Sequence, residues 1–395
     1  MLRGITIKTA SEEIAVEVDD SLTLEEVLRT KRIPPNLFQG YTKAGKEEAH
    51  AIPINTFIFA IPLDEKIILH CIRNTDLRDV LPQKTTYNKA QNPVVSIPEF
   101  NFGDDGCSQI IHELNPDSAK ELVKGKITDF VKKNSSADTT IVGISGGGDS
   151  NTLAQGLKAL TLGNPNKRFV FFTIIFEPIW ATSAAERASE LCLAHGLTHH
   201  IYRNKEIEDL LGMKESLDNF YKEYCEKFGN NTSHFFGTYL ISIVARKLCK
   251  EYHTSEYILG FNREDLLSDL LFSLMNGQKP LAFPVRKFGS TRLLMPLWNI
   301  SKIILDACYP KYSLSNYQER EDNQSTYQRN IIYYLAHSVE DIYPNLGLSL
   351  MEGVRKIFAD QWPELCSEDS LDIFPSEYAD STKVEEIKNF LKKYL

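Results

Sequence analysis

Residues 142–150 read VGISGGGDS, between an apolar, β-branched run and a stretch (Asn151-Thr152-Leu153-Ala154-Gln155-Gly156-Leu157) with helical spacing. The string therefore belongs on a strand–loop–helix turn. Gly146, Gly147 and Gly148 let the backbone approach an anion without Cβ clashes. Ser145, Ser150, the loop amides and the helix N-terminus can then aim N–H and O–H donors at phosphate oxygens. No Lys follows the glycines, so this is not a Walker A loop, and Gly143, Gly146, Gly147 and Gly148 do not fit GxGxxG. A second polar string, Gly260-Phe261-Asn262-Arg263-Glu264-Asp265, also follows a strand-like run. Its acidic residues have two readings. Glu264 and Asp265 are carboxylates that act in the site, or they are first-turn acids that complement a helix dipole.

The surrounding pattern must bring these two strings together. From residue 116 the spacing predicts helices over 119–131, 152–160, 184–195, 239–251 and 266–275. Strands are predicted over 139–144, 169–176, 199–202 and 257–260. Such alternation implies a parallel sheet covered on both faces, with ligands at the carboxyl ends of its strands. Both strings fall at such ends, so they define one site. Upstream, residues 4–9 and 14–18 alternate as half-buried strands do, Asp19-Asp20-Ser21 offers caps for a helix over 22–28, and strand-like pieces follow at 56–61 and 66–72. Residues 85–106, rich in Pro, Asn, Gly and Asp, read as a connector. The predicted organisation is a small α+β domain (1–82), a connector (83–115), an α/β domain (116–300) and a helical C-terminal region (301–395).

The Ser145–Ser150 string resembles the SGGxDS loop of the PP-loop ATP pyrophosphatases, which cleave ATP between its α and β phosphates and adenylate a carbonyl oxygen. The resemblance implies a Rossmann-like α/β fold of the HUP type, with ATP and Mg²⁺ as cofactors. It implies polyphosphate on Ser145, Gly146, Gly147, Gly148, Asp149 and Ser150, and adenine against the backbone of residues 173–176. Ile144, Ile174, Phe176 and Gly260 then line the nucleotide pocket, and Asp149 and Asp265 serve as catalytic, Mg²⁺-binding carboxylates.

The second string is similar to the HHxxDxxET-like segment of tRNA(Ile)-lysidine and tRNA 2-thiocytidine synthetases. It keeps Asp265 but has Phe261-Asn262 for the His pair, Ser268 for Glu and Asp269 for Thr. Residues 293–302 resemble the lysidine group's RPL…S segment, with Met295 for Arg, and residues 322–330 resemble its D-x-N…y-x-R-N segment. Asn262, Arg263 and Arg329 thereby become candidate substrate residues. Residues 97–107 resemble a zinc-binding segment of N-acetyl sugar amidotransferases, but Cys71 and Cys107 lack CxxC partners and tetrahedral zinc needs four ligands. The N-terminal pattern resembles the β-grasp fold of ubiquitin-like sulfur carriers, without their terminal Gly-Gly. It reads best as a docking or dimerisation module, for a protein partner or a second copy of the chain.

Composition narrows these readings. The chain has 395 residues, 42% of them hydrophobic, a formal net charge of −9 and seven cysteines. Its longest apolar stretch, FVFFTIIF, is too short to span a bilayer. Scattered cysteines and the lack of a signal-like N-terminus suggest a cytoplasmic protein. Net acidity weighs against a dedicated nucleic-acid binder, so a small-molecule or sugar acceptor is favoured over tRNA. A cluster-bearing thiolase would need more than the single Cys225 near residues 224–234. Cys225 alone remains a candidate persulfide nucleophile. Cys192 and His195 share a helix face, but His199 and His200 point opposite ways along a strand, which disfavours a metal there. The reading is an AMP- and pyrophosphate-forming ligase joining nitrogen, or less readily sulfur, to an adenylated acceptor. The alternatives are a tRNA-modifying enzyme and a non-catalytic nucleotide-binding partner protein.

Overall fold

The computed structural model describes the chain apart from residues 11, 32, 34, 73–83, 104–105, 165, 178, 181, 229–232, 276, 278, 311, 315–326, 343–344, 360–361 and 363–388. The described chain divides into two compact units: Met1–Lys89 with Ser96–Glu113 and Ser338–Leu346, and Ala90–Val95 with Leu114–His337 and Gly347–Leu395.

In the first unit, β1 (Leu2–Lys8) and β2 (Glu13–Asp19) form an antiparallel hairpin. Helix α1 (Leu24–Thr30) follows, started by a capping box in which Thr23 and Glu26 satisfy each other's backbone N–H groups. Strands β3 (Phe38–Ala44), β4 (His50–Ile52) and β5 (Glu65–Cys71) complete a sheet of order β2-β1-β5-β3-β4, with β1 and β5 parallel. This is the strand order of a β-grasp fold. Its core packs Leu24, Val27 and Leu28 of α1 against Ile5, Ile7, Ile67 and Leu69 of the sheet.

One expected strand is not there. Ile58–Ala60 is a single 3₁₀ turn, whose Ile58 and Ile61 point inward at the three-residue spacing of that helix while Phe57 and Phe59 are exposed. The strand lies instead at Phe38–Ala44, where the buried positions are Phe38, Gly40 and Thr42, a set that carries no apolar alternation. The supposed connector is also built differently. Strands β6 (Lys84–Asn88), β7 (Val95–Gly103) and β8 (Gly106–Leu114) form a sheet of order β6-β8-β7. Pro98 is tolerated because β7 is an edge strand.

The second unit runs α2 (Pro116–Asn134), β9 (Thr139–Gly143), α3 (Gly148–Gly163), β10 (Arg168–Ile174), α4 (Thr182–His195), β11 (Thr198–Tyr202), α5 (Asn204–Leu211), α6 (Leu217–Phe228), α7 (Ser233–Glu251), β12 (Glu256–Ile258) and α8 (Arg263–Met275). The hairpin β13 (Val285–Phe288) and β14 (Thr291–Leu294) follows, then helices α9 (Lys302–Cys308), α10 (Tyr327–Ile342), whose residues from Ser338 on belong to the first unit, and α11 (Leu346–Phe358), which is back in the second unit from Gly347. The sheet order is β11-β10-β9-β12-β14-β13, parallel throughout except for β13. Strand β9 has β10 on one side and β12 on the other. Connections leave it in opposite directions, which makes the carboxyl ends of β9 and β12 the switch point where such sheets bind ligands. Among the described residues no helix is long and apolar enough to cross a membrane.

Candidate functional site

The loop between β9 and α3 is shaped by contacts that only glycine permits. Gly146 has φ +72°, and a Cβ there would lie 2.1 Å from the Ala184 carbonyl oxygen of α4. A Cβ on Gly148 would lie 2.8 Å from Ser313 Oγ. At Gly146 the loop and α4 therefore approach backbone to backbone, and α3 opens at Gly148 with Gly147 as its cap, without a side-chain capping bond. The first amides of a helix have no intrahelical acceptor, so this end of α3 suits an anion. The loop's carbonyls are held from outside. The Tyr312 hydroxyl donates to the Gly146 carbonyl (2.5 Å), which Arg187 Nε also approaches (3.4 Å). Within the loop, the Ser145 N–H donates to Ser150 Oγ (3.0 Å) and the two hydroxyls pair at 3.2 Å. That amide and both hydroxyls thus brace the loop from inside.

The root of the loop is tied to the neighbouring strands. The Ile144 N–H donates to the Phe172 carbonyl (3.0 Å), and the Thr173 hydroxyl donates to the Ile144 carbonyl (2.8 Å). His199 Nε2 is 2.9 Å from Thr173 Oγ1, and His199 Nδ1 is 3.3 Å from Ser189 Oγ. Because the Thr173 proton is committed to the carbonyl, His199 donates from Nε2 and accepts the Ser189 hydroxyl at Nδ1. Burial, then the neighbouring His200, lowers the His199 pKa to about 4, so the ring is neutral. Ile144, just past the end of β9, and Ile174, the last residue of β10, are both buried.

The second loop reaches the first through Asn262 and Asp149. Asn262 Nδ2 donates to Asp149 Oδ2 (3.0 Å), and Lys302 Nζ donates to Asp149 Oδ1 (2.5 Å) while lying 3.1 Å from Asp306 Oδ1. Asn262 and Asp265 form a capping box on α8. The Asp265 N–H donates to Asn262 Oδ1 (2.9 Å) and the Asn262 N–H to Asp265 Oδ2 (3.0 Å), while the Tyr333 hydroxyl donates to Asp265 Oδ1 (3.2 Å). Asp265 is pushed up to about 7, chiefly by burial and then by the charge on Asp149. Asn262 N–H and Lys302 oppose that rise. Two carboxylates that penalise each other's charge, beside a free helix N-terminus, form a donor set suited to a divalent cation.

The structure thus brings together Ser145, Gly146, Gly147, Gly148, Asp149, Ser150, Ile144, Ile174, Gly260, Asn262 and Asp265. Other candidates are placed differently. Arg263 is turned into the protein, its Nη2 3.1 Å from Glu264 Oε1, because a buried guanidinium needs a counter-ion. Its charge is held by that carboxylate. The Phe176 ring packs against Tyr221 and Phe236, with centroids 5.3 and 6.1 Å apart, and so belongs to an aromatic core. Cys225 is half-buried on α6 and its thiol is pushed up by burial, which disfavours the thiolate. The Arg329 side chain and residues 322–326 lie outside the described residues.

Sequence reasoning missed Lys302, Tyr312, Tyr333, Arg187 and Glu264. Lys302 carried one signal, a cation at the first position of a helix, where the dipole disfavours it unless an acid such as Asp149 faces it.

No family model and no curated protein matches the chain. Among solved structures, the U34-tRNA thiolase NcsA from Methanococcus maripaludis, with its [4Fe-4S] cluster, gives a TM-score of 0.51 at 16% identity, covering 62% of this chain and 80% of that one. The NH3-dependent NAD synthetase from Campylobacter jejuni subsp. jejuni NCTC 11168 gives 0.36 at 18% identity, covering 64% and 99%. NAD+ synthetase from Burkholderia pseudomallei gives 0.31 at 14% identity, covering 71% and 88%. The likeness to the thiolase is one of fold, an α/β architecture built on a parallel sheet.

Proposed function

We propose that the chain is an ATP-dependent ligase that forms AMP and pyrophosphate, adenylating a carbonyl oxygen that an amine or ammonia then attacks. One observation carries this reading. The glycine loop's Asp149 is bonded at one oxygen by Asn262 of the second loop and at the other by Lys302. A mere glycine turn has no need of a lysine and two carboxylates converging on it.

In this reading, Ser145 to Ser150 and the start of α3 cradle the polyphosphate, and the backbone at 173–176 seats adenine beside Ile144 and Ile174. Lys302 neutralises charge that builds up on the departing pyrophosphate. Asp149 and Asp265 would hold Mg²⁺, which supplies Lewis-acid neutralisation of the phosphate oxygens when bound. The acceptor oxygen attacks the α phosphorus, the α–β bridging bond breaks, and its electron pair leaves with pyrophosphate. Nitrogen then attacks the acceptor carbon and AMP departs. Preorganised donors suffice for both steps.

Nitrogen is favoured over sulfur by the cysteines. Among the described cysteines, Cys71, Cys192, Cys249 and Cys308 are buried, and burial pushes up the thiol of half-buried Cys225, which disfavours the thiolate a persulfide carrier needs. The second reading is tRNA modification, supported by the segment at residues 293–302 and by the thiolase's own substrate. Wild type incubated with ATP and separate metabolite and tRNA fractions should release AMP and pyrophosphate with one of them. Asp149→Ala and Lys302→Met should lower that rate by at least about a hundredfold, as loss of one transition-state charge contact does. Release of ADP would refute the bond assignment, and tight ATP binding with no turnover in any fraction would favour a non-catalytic partner protein.

A further inference from the structure

The cation at Asp149 sits at the start of a seven-residue helix, and that start is held by charges from elsewhere. Ser301, the cap residue of α9, makes no side-chain capping bond. The Lys302 N–H donates instead to Glu264 Oε2 (2.7 Å), a carboxylate at the second position of α8. Glu264 is buried, and its other oxygen accepts from Arg263 Nε (3.2 Å) and Nη2 (3.1 Å). The same two residues reach the turn a second time, since the Arg263 N–H donates to the Ile300 carbonyl (3.1 Å). Lys126 Nζ of α2 lies 3.4 Å from the Asn299 carbonyl. Residues 299–302 are therefore stitched to the α8 terminus by a buried ion pair and its backbone.

This stitching has a specific consequence. Glu264 follows Arg263 and precedes Asp265, so the turn that presents Asn262 and Asp265 to Asp149 also fixes where α9 begins. The Lys302 side chain is long and could adopt many rotamers. Its backbone is set by Glu264 and its ammonium by Asp149 and Asp306. A buried charge pair is costly unless its remaining hydrogen-bonding capacity is filled, and here the Lys302 amide fills Glu264's free oxygen.

We propose that Glu264, neutralised by Arg263, is a positioning residue that caps α9 from a neighbouring helix and thereby places the Lys302 ammonium at Asp149. The proposal deepens the ligase reading and rests on it for the role of Lys302, though the placement itself can be tested without ATP. Glu264→Ala and Glu264→Met are compared with wild type by two readouts, the second of them also in the Lys302→Met background. The first is the rate at which Lys302 is acetylated by acetic anhydride in the nucleotide-free protein, followed by peptide mass spectrometry with exposed Lys133 as internal standard. Release from Asp149 should raise the Lys302 rate several-fold, because an amine held half-buried in an ion pair is shielded from the reagent. The second is MgATP affinity, which Glu264→Ala should weaken by roughly tenfold in the wild-type background and hardly at all in Lys302→Met, the non-additivity expected of coupled residues. Should the alanine variant fail to fold, Glu264→Met, which keeps about the volume and removes the acceptor, decides both readouts.

An unchanged Lys302 acetylation rate, or losses of affinity that add in the double variant, overturns the proposal. A raised acetylation rate in a protein whose wild type binds no MgATP leaves the positioning intact and sinks the ligase reading.

Discussion

At Gly146 two independent requirements coincide. Its φ of +72° costs an L-residue about 1–2 kcal/mol, and any Cβ would stand 2.1 Å from a backbone oxygen of α4 that cannot move without moving the helix. Gly146→Ala should therefore weaken MgATP binding at least tenfold and lower the melting temperature of the unit that holds the loop. Calorimetric titration together with thermal denaturation checks this. Retained affinity would mean that the loop reaches phosphate by some other geometry. The same scale shows what residue types can and cannot reveal. The SGGGDS string was legible because glycine and serine at that spacing have few other uses between a strand and a helix. Lys302 was not, since its partner Asp149 lies far away in sequence and nothing local marks the pairing. Arg263 and Phe176 had functional-looking types, yet burial beside Glu264 and among Tyr221 and Phe236 decided their roles.

Between elements, the site depends on strands holding one another's ends in register. Strands β9 and β10 were legible as continuous apolar runs, and helices α2, α3, α4 and α8 from their spacing, within four residues at each end, while α7 starts six residues before the expected 239. The β13–β14 hairpin was not, because its short strands carry Arg286, Lys287 and Arg292 among the apolar residues. Nor could periodicity show that β11 contributes His199 to the root of the loop. That bond makes an acid-sensitive link between β11, α4 and the loop's first carbonyl. His199 has its pKa lowered to about 4 in the folded protein, against about 6.5 for an unperturbed histidine. The unfolded chain therefore binds the proton more readily, and the stability this residue contributes is present above pH 6.5 and lost as pH falls toward 4. His199→Gln, whose amide N–H can replace the Nε2 donor, should flatten this acid limb while leaving stability at pH 7.5 nearly unchanged. Urea unfolding at pH 4.5, 5.5 and 7.5 measures both. A wild-type acid limb identical to the variant's would place the proton uptake elsewhere.

For the molecule as a whole, the two units have separate hydrophobic cores, and the chemistry argued above lies within one of them. The first unit's core runs from Ile5 to Cys71, with Leu24, Val27 and Leu28 of α1 fully buried against its sheet. Binding that stabilises the folded state acts on the unit that binds, by about 2.7 kcal/mol at a hundredfold excess of ligand over Kd. A core truncation acts where the cavity is made, costing about 2–5 kcal/mol for a buried Leu→Ala change. The two perturbations should therefore fall on different unfolding transitions. Calorimetry of the full chain should show MgATP raising one transition, and Leu28→Ala lowering the other while leaving the nucleotide-sensitive one in place. AMP release with the acceptor fraction should survive the Leu28→Ala change at temperatures below both transitions if the β-grasp unit serves docking, and should fall with it if that unit helps bind the acceptor. A single transition that responds to both perturbations would instead make the chain one cooperative body, and would move the acceptor question from one loop cluster to the whole molecule.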